Sequence, residues 1–359
     1  MRAVDIIADY KKKKYLYERL TEAADEFIEE ILENDTDINI HSIRARTKSV
    51  ESLAEKVRRP GKDYESLAEI KDLTAVRVVT YFADEIDEVG VVLENNLDID
   101  PRHSIDKRKS FDYQEFGYSS LHKVARFRPD KHPASLQDEL SDLFFEIQIR
   151  TILQHAWAEI EHDLGYKYKE EIPDSINRRF ARLSALLEVA DDEFISLRDD
   201  LEKYEDKIQQ QIKAQPEDVD INKLTLEQFM KIDEVMKDLI AYIDEWSQNL
   251  PRKTTGKDFF LGEAVKGIKL IGMSNIAGLK KIIREYEQLV KESFDLVFAR
   301  DKELPGWSPS MILFALILIY GAVNYDRDDL QNLYAELGFR PRENFEKKVI
   351  NKAEDLLQM

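Results

Sequence analysis

Three short segments, each joining a β-branched or aromatic run to a polar or charged group, constrain the fold of this chain more than any other feature. They are 72–77, 117–122 and 145–151. β-Branched and aromatic runs of this length favour strands, and neighbouring strands deliver the groups at their ends to a shared edge of a sheet. The three segments therefore predict a sheet that carries a site, and not merely a core.

The surrounding sequence alternates between helical and strand patterns. Helical spacing of apolar residues marks 5–32, 49–57 and 85–95, and strand patterns mark 40–46, 74–82, 99–105, 121–127 and 143–149. This alternation predicts an α/β or α+β domain with a mixed sheet flanked by helices.

Beyond Thr151 the pattern is helical to the end of the chain. The predicted helices are 152–168, 175–213, 226–246, 258–269, 276–300, 309–323, 328–337 and 344–357, and 270–279 is read as a plain turn between two of them. A polar stretch at 209–218 is the best boundary, which gives a first domain at 1–213 and an all-α, regulatory domain at 217–359.

Composition narrows the class of protein. A chain of 359 residues suits about two domains, and the absence of cysteine excludes disulfides, thiolate zinc sites and cysteine nucleophiles. A net charge of −19 argues against broad wrapping of DNA or RNA. No signal peptide opens the chain, and the apolar run 311–323 is shorter than the roughly 20 residues of a membrane span. We expect a cytoplasmic protein without membrane or DNA contacts, and the sequence leaves a homo-oligomer open.

Four residues near the N-terminus have the chemistry and spacing of a phosphate clamp: Arg46, Lys48, Ser52 and Lys56. An extended entry followed by a helix places the last two on one helical face beneath the first two. Guanidinium groups grip phosphate or stack on a purine, and ammonium groups act as point charges. A solvated basic helix face is the alternative interpretation.

Two carboxylates and two ring side chains complete the candidate site. Asp72, just before one predicted strand, and Glu146, on another, are suited to hold Mg²⁺ together with substrate phosphates. Tyr118 follows a glycine and is placed to stack on a nucleobase, and His122 lies on the same predicted strand. Strand-edge residues that face water, and a core histidine bonded to a backbone carbonyl, remain the alternatives.

Taken together, these motifs resemble the synthetase domain of the RelA/SpoT family, and most closely the short, single-function alarmone synthetases. The resemblance covers about the first 210 residues, in order and at matching spacing. Its elements are Arg46–Lys48 with Ser52 and Lys56, the Asp72–Arg77 strand, the Gly117–His122 loop, the Glu146–Thr151 segment, and the helical tail Trp157–Lys167. It implies a nucleotidyltransferase-like α+β domain followed by helices.

The resemblance implies a role for each residue on the donor side of the reaction. The implied reaction moves the β,γ-pyrophosphoryl group of ATP to a nucleotide 3′-hydroxyl and releases AMP. Arg46 and Arg77 would sandwich adenine, while Asp72 and Glu146 would hold Mg²⁺. The residues that would hold the ATP phosphates are Lys48, Ser52 and Lys56.

On the acceptor side, the resemblance implies that Glu146 activates the 3′-hydroxyl and that Tyr118 stacks on the acceptor base. The other residues expected near the acceptor are Lys107, His122, Gln148, Arg150 and His155. The acceptor would be GDP or GTP, which makes the product (p)ppGpp.

One departure from the family pattern leaves the acceptor open. Gln114 stands where many members have a lysine, and 107–111 replaces the usual opening of the acceptor loop. The alternatives are a toxic relative that pyrophosphorylates adenosine nucleotides or the tRNA 3′ end under control of the C-terminal domain, and a nucleotide-binding protein with an inactive site. Because His162–Asp163 has no separate histidine cluster to complete a metal site, we expect no alarmone hydrolysis.

Overall fold

The computed structural model describes residues 3–61, 63–109, 120–131, 138–167, 173–247, 260–298 and 307–357. Its contacts divide the chain into two compact units, Met1–Asp199 and Asp200–Met359. The boundary between the units falls within one long helix, Asp174–Ala214. The division into domains at 213 and 217 stays a prediction.

The first unit combines a mixed sheet with helices, as the α+β prediction requires. Its strands are β1 Ser42–Thr47, β2 Thr74–Thr80, β3 Leu97–Ile99, β4 Ile105–Asp106, β5 Leu121–Phe127 and β6 Phe145–Thr151. Its helices are α1 Ala3–Asp35, α2 Val50–Val57, α3 Glu85–Asn96, α4 Asp138–Ser141, α5 Ile152–Lys167 and most of α6 Asp174–Ala214.

The strand order β1-β2-β6-β5-β3, with β4 beside β5, decides which side chains share a face. The pair β2–β6 is parallel, and the other pairs of the sheet are antiparallel. Residues opposite one another in register point to the same face, and alternate residues of a strand point to opposite faces. Arg46, Ala75 and Glu146 therefore form one cross-strand row, and Arg44, Arg77, Gln148 and His122 form the next row on the same face.

The opposite face of the sheet is apolar and forms the core of the first unit. Val76, Val78, Ile147 and Ile149 alternate with the polar row residues and are fully buried. Helix α1 packs against this face with an apolar stripe that includes Leu20, Ile28 and Leu32, all of them buried. Burying a side chain of this size contributes roughly 1.5–3 kcal/mol, so the apolar face stabilises the sheet and leaves its other face available.

The strand predicted over 99–105 is wrong. Two short strands, β3 and β4, stand there instead, separated by a turn at 101–103. The Asp100 carboxylate accepts a hydrogen bond from the Arg102 amide at 2.9 Å, and the Asp100 carbonyl accepts one from Ser104 Oγ at 2.7 Å. Pro101 has no amide proton for a ladder, and these local bonds close the turn.

The second unit is all-helical within the part of the chain that the structure describes. Its helices after α6 are α7 Lys223–Ile232, α8 Glu234–Trp246, α9 Leu261–Leu270, α10 Ile276–Val297, α11 Ser310–Asn324, α12 Arg327–Glu336 and α13 Phe345–Leu357. Helix α11 is buried along almost its whole length, as predicted for the apolar run 311–323. In the described residues, helices are too short or too polar to cross a membrane.

The single helix predicted over 226–246 is also wrong, because the chain breaks at Asp233 into α7 and α8. The Asp233 side chain caps α8 by accepting hydrogen bonds from the amides of Val235 and Met236 at 3.1 and 3.3 Å. An aspartate with helical residues on both sides is read from sequence as part of one helix. Its capping bonds stabilise the start of the second helix instead.

Candidate active site

The polar face of the sheet gathers arginines from three strands. Arg44 and Arg46 come from β1, Arg77 from β2 and Arg150 from β6. Helix α5 follows β6 directly and packs against β2 and β6. Together the sheet and α5 enclose a cavity of about 480 Å³, whose lining includes all four arginines with Gln148, Glu159, Glu161 and His162. A cavity of this size and charge suits an anionic ligand such as a nucleotide.

Asp72 lies beside the two predicted clamp lysines. Its Oδ2 is 3.0 Å from Lys48 Nζ and 2.8 Å from Lys56 Nζ. Its Oδ1 is buried and has no hydrogen-bond partner. Two ammonium groups thus converge on one carboxylate, and one oxygen of that carboxylate keeps its lone pairs unused. We call this group of three residues the Asp72 centre.

Local structure explains why the lysines converge. Ser49 caps α2 by accepting a hydrogen bond from the Ser52 amide at 3.1 Å, so the helix that carries Lys56 begins directly after β1. The Lys48 amide donates to the Leu73 carbonyl at 2.8 Å, and the Lys48 carbonyl accepts from Tyr10 of α1 at 2.5 Å. The backbone of Lys48 is therefore fixed from both sides, next to the segment that carries Asp72.

Glu146 has different surroundings. Its Oε1 is 2.8 Å from His122 Nδ1, and its Oε2 accepts a hydrogen bond from Gln148 Nε2 at 2.8 Å. His122 Nε2 is in turn 2.7 Å from Ser120 Oγ. Burial raises the pKa of Glu146, but the hydrogen bond and charge of His122 and the bond from Gln148 outweigh it, so its pKa falls to about 2. This group, the Glu146 centre, holds a permanent anion.

Both acids lie at the same end of the sheet. Glu146 is the second residue of β6 and pairs with Ala75 of β2, and Asp72 precedes Ala75 by three residues. Because β2 and β6 are parallel neighbours, their N-terminal ends share one edge. The sequence predicted this common edge, and the joint coordination of one cation by the two acids stays a prediction.

A third carboxylate, which the sequence reasoning did not assign to the site, reaches the cavity from α5. Glu159 Oε1 is 2.8 Å from Arg77 Nη1 and 3.7 Å from His155 Nδ1. Glu159 follows His155 by four residues, which is the spacing that places two residues on one helical face. That spacing was a usable signal, but the pairing with Arg77 bridges 82 residues and depends on where α5 crosses the sheet.

The cavity side of the Glu146 centre is strongly cationic. Burial lowers the pKa of Arg150 to about 10, with the positive charge of Arg77 acting in the same direction. Arg150 is still charged at neutral pH, and its Nη2 donates to Gln148 Oε1 at 2.6 Å. His155 likewise has a lowered pKa, first through burial and then through repulsion by Arg77 and Arg150. A bound anion would relieve this repulsion.

The remaining predicted residues are placed as follows. Ser52 is exposed on α2 and lies 3.0 Å, Oγ to Oγ, from Ser49. Lys107 is exposed, its amide donates to the Ser120 carbonyl at 3.2 Å, and its charge acts on Glu146. Tyr118 and Gln114 lie outside the described residues, so the predicted base-stacking contact stays a prediction.

The donor set at the sheet edge is compatible with a divalent cation. Mg²⁺ is typically held by one or two protein carboxylates plus substrate phosphates and water. The buried, unpartnered Oδ1 of Asp72 is such a donor. No cluster of three or more histidine, cysteine or acidic side chains at metal-holding spacing occurs in the described ranges. With one or two protein carboxylates as ligands, a bound polyphosphate and water would supply the others.

Comparison with known proteins agrees with the motifs. Residues 45–171 match the family model described as the region found in RelA / SpoT proteins. The chain is 29% identical to GTP pyrophosphokinase YjbM of Bacillus subtilis over 167 residues, which are 46% of this chain and 74% of that protein. It is 25% identical to GTP pyrophosphokinase YwaC of the same organism over 206 residues, which are 55% of this chain and 94% of that protein.

Among solved structures, the small alarmone synthetase 1 from Bacillus subtilis is similar, with 26% sequence identity and a TM-score of 0.45. The match covers 54% of this chain and 98% of that one. The matched family region begins in β1 and extends beyond α5, so it contains the polar face described above except for Arg44. The chain therefore contains a RelA/SpoT domain, which covers residues 45–171.

Proposed function

We propose that the chain is an ATP-dependent nucleotide 3′-pyrophosphokinase with GDP or GTP as acceptor. In this reaction the acceptor 3′-oxygen forms a bond to Pβ of ATP, the bond between Pβ and the α,β-bridging oxygen breaks, and AMP leaves with that oxygen. The 3′-hydroxyl proton is released to a nearby acceptor or to water. The product is a guanosine nucleotide with a 3′-pyrophosphate. Both curated relatives are named GTP pyrophosphokinases, which supports this acceptor class.

One observation carries the proposal: a carboxylate with two converging lysines and an ionised glutamate lie at the same edge of a sheet whose polar face is lined by arginines. Pyrophosphoryl transfer needs few covalent partners from the protein. It needs cations that neutralise the transferred group and a geometry that aligns the two oxygens with phosphorus. The arrangement provides the charges that this chemistry uses.

On the donor side, Lys48 and Lys56 are positioned to exchange Asp72 for the ATP phosphates. Arg46 and Arg77, on adjacent strands and adjacent rows, are positioned to contact the adenine from the polar face. Guanidinium groups stack on aromatic planes as well as binding anions, so the same residues serve a neutral base.

On the acceptor side, Glu146 acts as a fixed hydrogen-bond acceptor for the 3′-hydroxyl. A general base is most effective when its pKa lies near the working pH. Because the pKa of Glu146 is about 2, its carboxylate is a weak base and does not keep the hydroxyl proton. Its main role is to orient the hydroxyl and to stabilise the positive charge that develops on the proton. In this role Glu146 would direct an oxygen lone pair at Pβ.

Mg²⁺ would be held by Asp72, with Glu146 as a second ligand, and would supply charge neutralisation for the transferred group. The buried, unpartnered Asp72 Oδ1 supports the first assignment. Once Lys48 and Lys56 turn to phosphate, Oδ2 of the same carboxylate is also released.

The test is a labelled-transfer assay with purified full-length chain and Mg²⁺. ATP labelled at the γ-phosphate is offered with GDP, GTP, ADP or deacylated tRNA in separate reactions. We expect label in a 3′-pyrophosphorylated guanosine nucleotide with an equal amount of AMP. The matched control acceptor is 3′-deoxy-GTP, which lacks the attacking hydroxyl and should receive no label.

Label that appears only in ADP or only in tRNA would overturn the acceptor assignment and would support the toxic-relative alternative. AMP release without label in any acceptor would overturn the transfer itself. Nucleotide binding by calorimetry without turnover in every reaction would show that the site is inactive.

A further inference from the structure

Arg108 is held between two carboxylates, those of Asp106 and Asp87. Its Nε donates to Asp106 Oδ1 at 2.9 Å, and its Nη2 donates to Asp106 Oδ2, also at 2.9 Å. The Arg108 amide donates to Asp106 Oδ1 as well, at 3.1 Å. The same Nη2 donates to Asp87 Oδ1 of α3. We call these three residues the Arg108 anchor.

The proposed function leaves the Arg108 anchor without a role. Arginines bind phosphate, so a contact with a nucleotide phosphate is one interpretation. Two carboxylates already occupy this guanidinium, however, and their hydrogen bonds, that of Asp106 first and then that of Asp87, outweigh burial and raise its pKa. A phosphate would have to displace both of them. The contacts therefore favour a guanidinium that connects two parts of the chain over one that binds a ligand.

The Arg108 anchor joins the edge of the sheet to a helix on its apolar side. Asp106 is the last residue of β4, which pairs with β5. Asp87 lies in the first turn of α3, and Ile86 and Leu93 of this helix belong to the core of the first unit. One guanidinium thus fixes the end of a short edge strand to an element that is itself held by the core.

The preceding residue, Lys107, acts on the other side of the sheet. Its amide donates to the Ser120 carbonyl at 3.2 Å. Burial raises the pKa of Glu146, and the charge of Lys107 is among the effects that lower it, after those of His122 and Gln148. Glu146 belongs to the polar face. Two consecutive cations are thus divided between the polar face and the helix on the apolar face.

We propose that Arg108 is a positioning residue for the acceptor nucleotide, because its anchor fixes the backbone from which the Lys107 ammonium reaches the acceptor phosphates beside the Glu146 centre. The Lys107 backbone is held by the Ser120 carbonyl on one side and by the Arg108 anchor on the other. A lysine side chain is long and flexible, so its backbone must be fixed if the ammonium is to hold a ligand in one geometry. The inference deepens the proposed function and rests on it.

The Arg108 anchor borders open space, which makes it suitable for substitution. Asp87, Asp106 and Arg108 line a second cavity, of about 410 Å³, together with other residues of α3, β4 and β5. The Asp87 side chain is 67% exposed and that of Arg108 is 20% exposed. Substitutions at such positions leave no cavity in the apolar core, so we expect the variants to fold. Circular dichroism of each variant verifies this.

The first test compares KM values of the full chain in transfer assays with Mg²⁺. Lysine at position 108 keeps the charge but lacks the planar fork that bonds to both Asp106 oxygens. We expect Arg108→Lys to raise the KM for GTP at least about tenfold and to leave the KM for ATP within about twofold of wild type. The matched control is Arg126→Lys, on β5, whose arginine pairs with Asp98 at 2.7 Å outside the site. It should change neither KM.

The split between the two KM values excludes a merely structural role. If Arg108 only stabilised the fold, Arg108→Lys would reduce the fraction of active molecules, which lowers turnover and leaves both KM values unchanged. That result would overturn the inference. An equal rise in the KM for ATP and the KM for GTP would overturn it as well, because the substitution would then disturb the whole site.

A double-mutant cycle tests whether Arg108 acts through Lys107. Lys107→Met removes the ammonium and keeps the length of the side chain. In the Lys107→Met chain, we expect Arg108→Lys to raise the KM for GTP less than about twofold, since the group that it positions is already absent. The same rise in both backgrounds would show that Arg108 acts independently of Lys107, which would overturn the inference.

The link to α3 is tested at Asp87. Asp87→Asn removes one of the two carboxylates, and we expect the KM for GTP to rise about threefold, the scale of a single exposed ion pair. Asp87→Glu keeps the carboxylate and should have the KM of wild type. Equal KM values in the two variants would overturn the part of the anchor that involves α3.

The outcomes separate this inference from the proposed function. A wild-type chain that transfers label to no acceptor overturns the proposed function, and the positioning role with it. Transfer to GTP by wild type, with an unchanged KM for GTP in Arg108→Lys, overturns only the positioning role. If the label enters ADP or tRNA instead, the KM for that acceptor is measured in place of the KM for GTP, and a tenfold rise in Arg108→Lys still supports the inference.

Discussion

The Asp72 centre and the Glu146 centre are both carboxylates at one edge of one sheet, yet they are neutralised in different ways. Asp72 is balanced by two flexible ammonium groups and keeps one oxygen without a hydrogen-bond partner. Glu146 is held by the imidazole of His122, on the neighbouring strand β5, and by the carboxamide of Gln148, on its own strand β6. Both of its carboxylate oxygens are hydrogen-bonded. Lysine contacts exchange easily for phosphate, whereas strand-borne partners are fixed. The first centre is thus arranged to change partners on binding, and the second to stay an oriented anion.

The substitution Asp72→Asn should have the largest effect on activity, because it removes the charge of the centre that is arranged to change partners. We expect turnover with Mg²⁺ and ATP to fall about 1,000-fold, because the carboxylate that would hold the cation is lost. Without Mg²⁺, we expect ATP to bind more tightly than to wild type, since Lys48 and Lys56 lose the anion that competes with phosphate. Transfer assays and calorimetry in EDTA measure the two quantities. Weaker binding in EDTA would show that Asp72 positions the lysines instead of competing for phosphate.

Glu146→Gln should have the next largest effect, with turnover about 100-fold lower and ATP affinity nearly unchanged. The amide keeps the shape of the side chain but loses the anion that accepts from His122 and from an acceptor hydroxyl. Single-turnover kinetics at saturating ATP separate this loss from binding. A large rise in the KM for ATP, with turnover preserved, would place Glu146 on the donor side.

Glu159→Gln should act on the affinity for ATP with little effect on turnover. The Arg77–Glu159 pair occupies a guanidinium that the proposed function assigns to adenine, and Glu159 is more than half exposed. Releasing Arg77 should lower the KM for ATP a few-fold, which is the scale of a single exposed ion pair. Glu161→Gln, which lines the same cavity, is the matched control. A higher KM in Glu159→Gln would mean that Glu159 holds Arg77 in its binding position.

The smallest effect should be a change in how stability depends on pH. The pKa of His155 is lowered in the folded chain, first by burial and then by Arg77 and Arg150. A folded pKa below the unfolded value of about 6.5 contributes stability above that pH, and this contribution is lost as pH falls through the folded value. Urea midpoints at about pH 8 and pH 5.5 should therefore differ less for His155→Gln than for wild type. Equal differences in the two proteins would contradict this assignment.

Much of the first unit could be predicted from residue patterns because its signals are local. A serine at the start of α2 and the basic residues spaced around it specify a capped helix beside a strand, and β6 is apolar at its first, third and fifth positions. The patterns failed where a single side chain terminated a regular element. Asp100 closes a turn within 99–105, and Asp233 ends one helix and begins another.

Residue patterns in the sequence could not predict contacts that depend on how separate strands and helices pack against one another. The spacing of Arg77 and Gln148 on their strands is visible in the sequence, but the register that places them side by side is a property of the folded sheet. The same holds for Glu159, since a helical position becomes part of a site only when the helix lies over it. The pKa of Glu146 likewise depends on a histidine 24 residues earlier, His122, which the antiparallel pairing of β5 with β6 places opposite Gln148 and within hydrogen-bond distance of Glu146.

Ala75 stands between Arg46 and Glu146 in one cross-strand row, and it lines the arginine-rich cavity with a single methyl group. A β-branched residue suits a strand at that position just as well, so a swap to valine or isoleucine would keep every charge of the row while filling the hollow above it. A variant with the cavity filled in this way would separate two requirements for nucleotide binding, the electrostatic attraction and the cavity volume. The small size of the Ala75 side chain thus determines how large a ligand the charged residues of the row are able to bind.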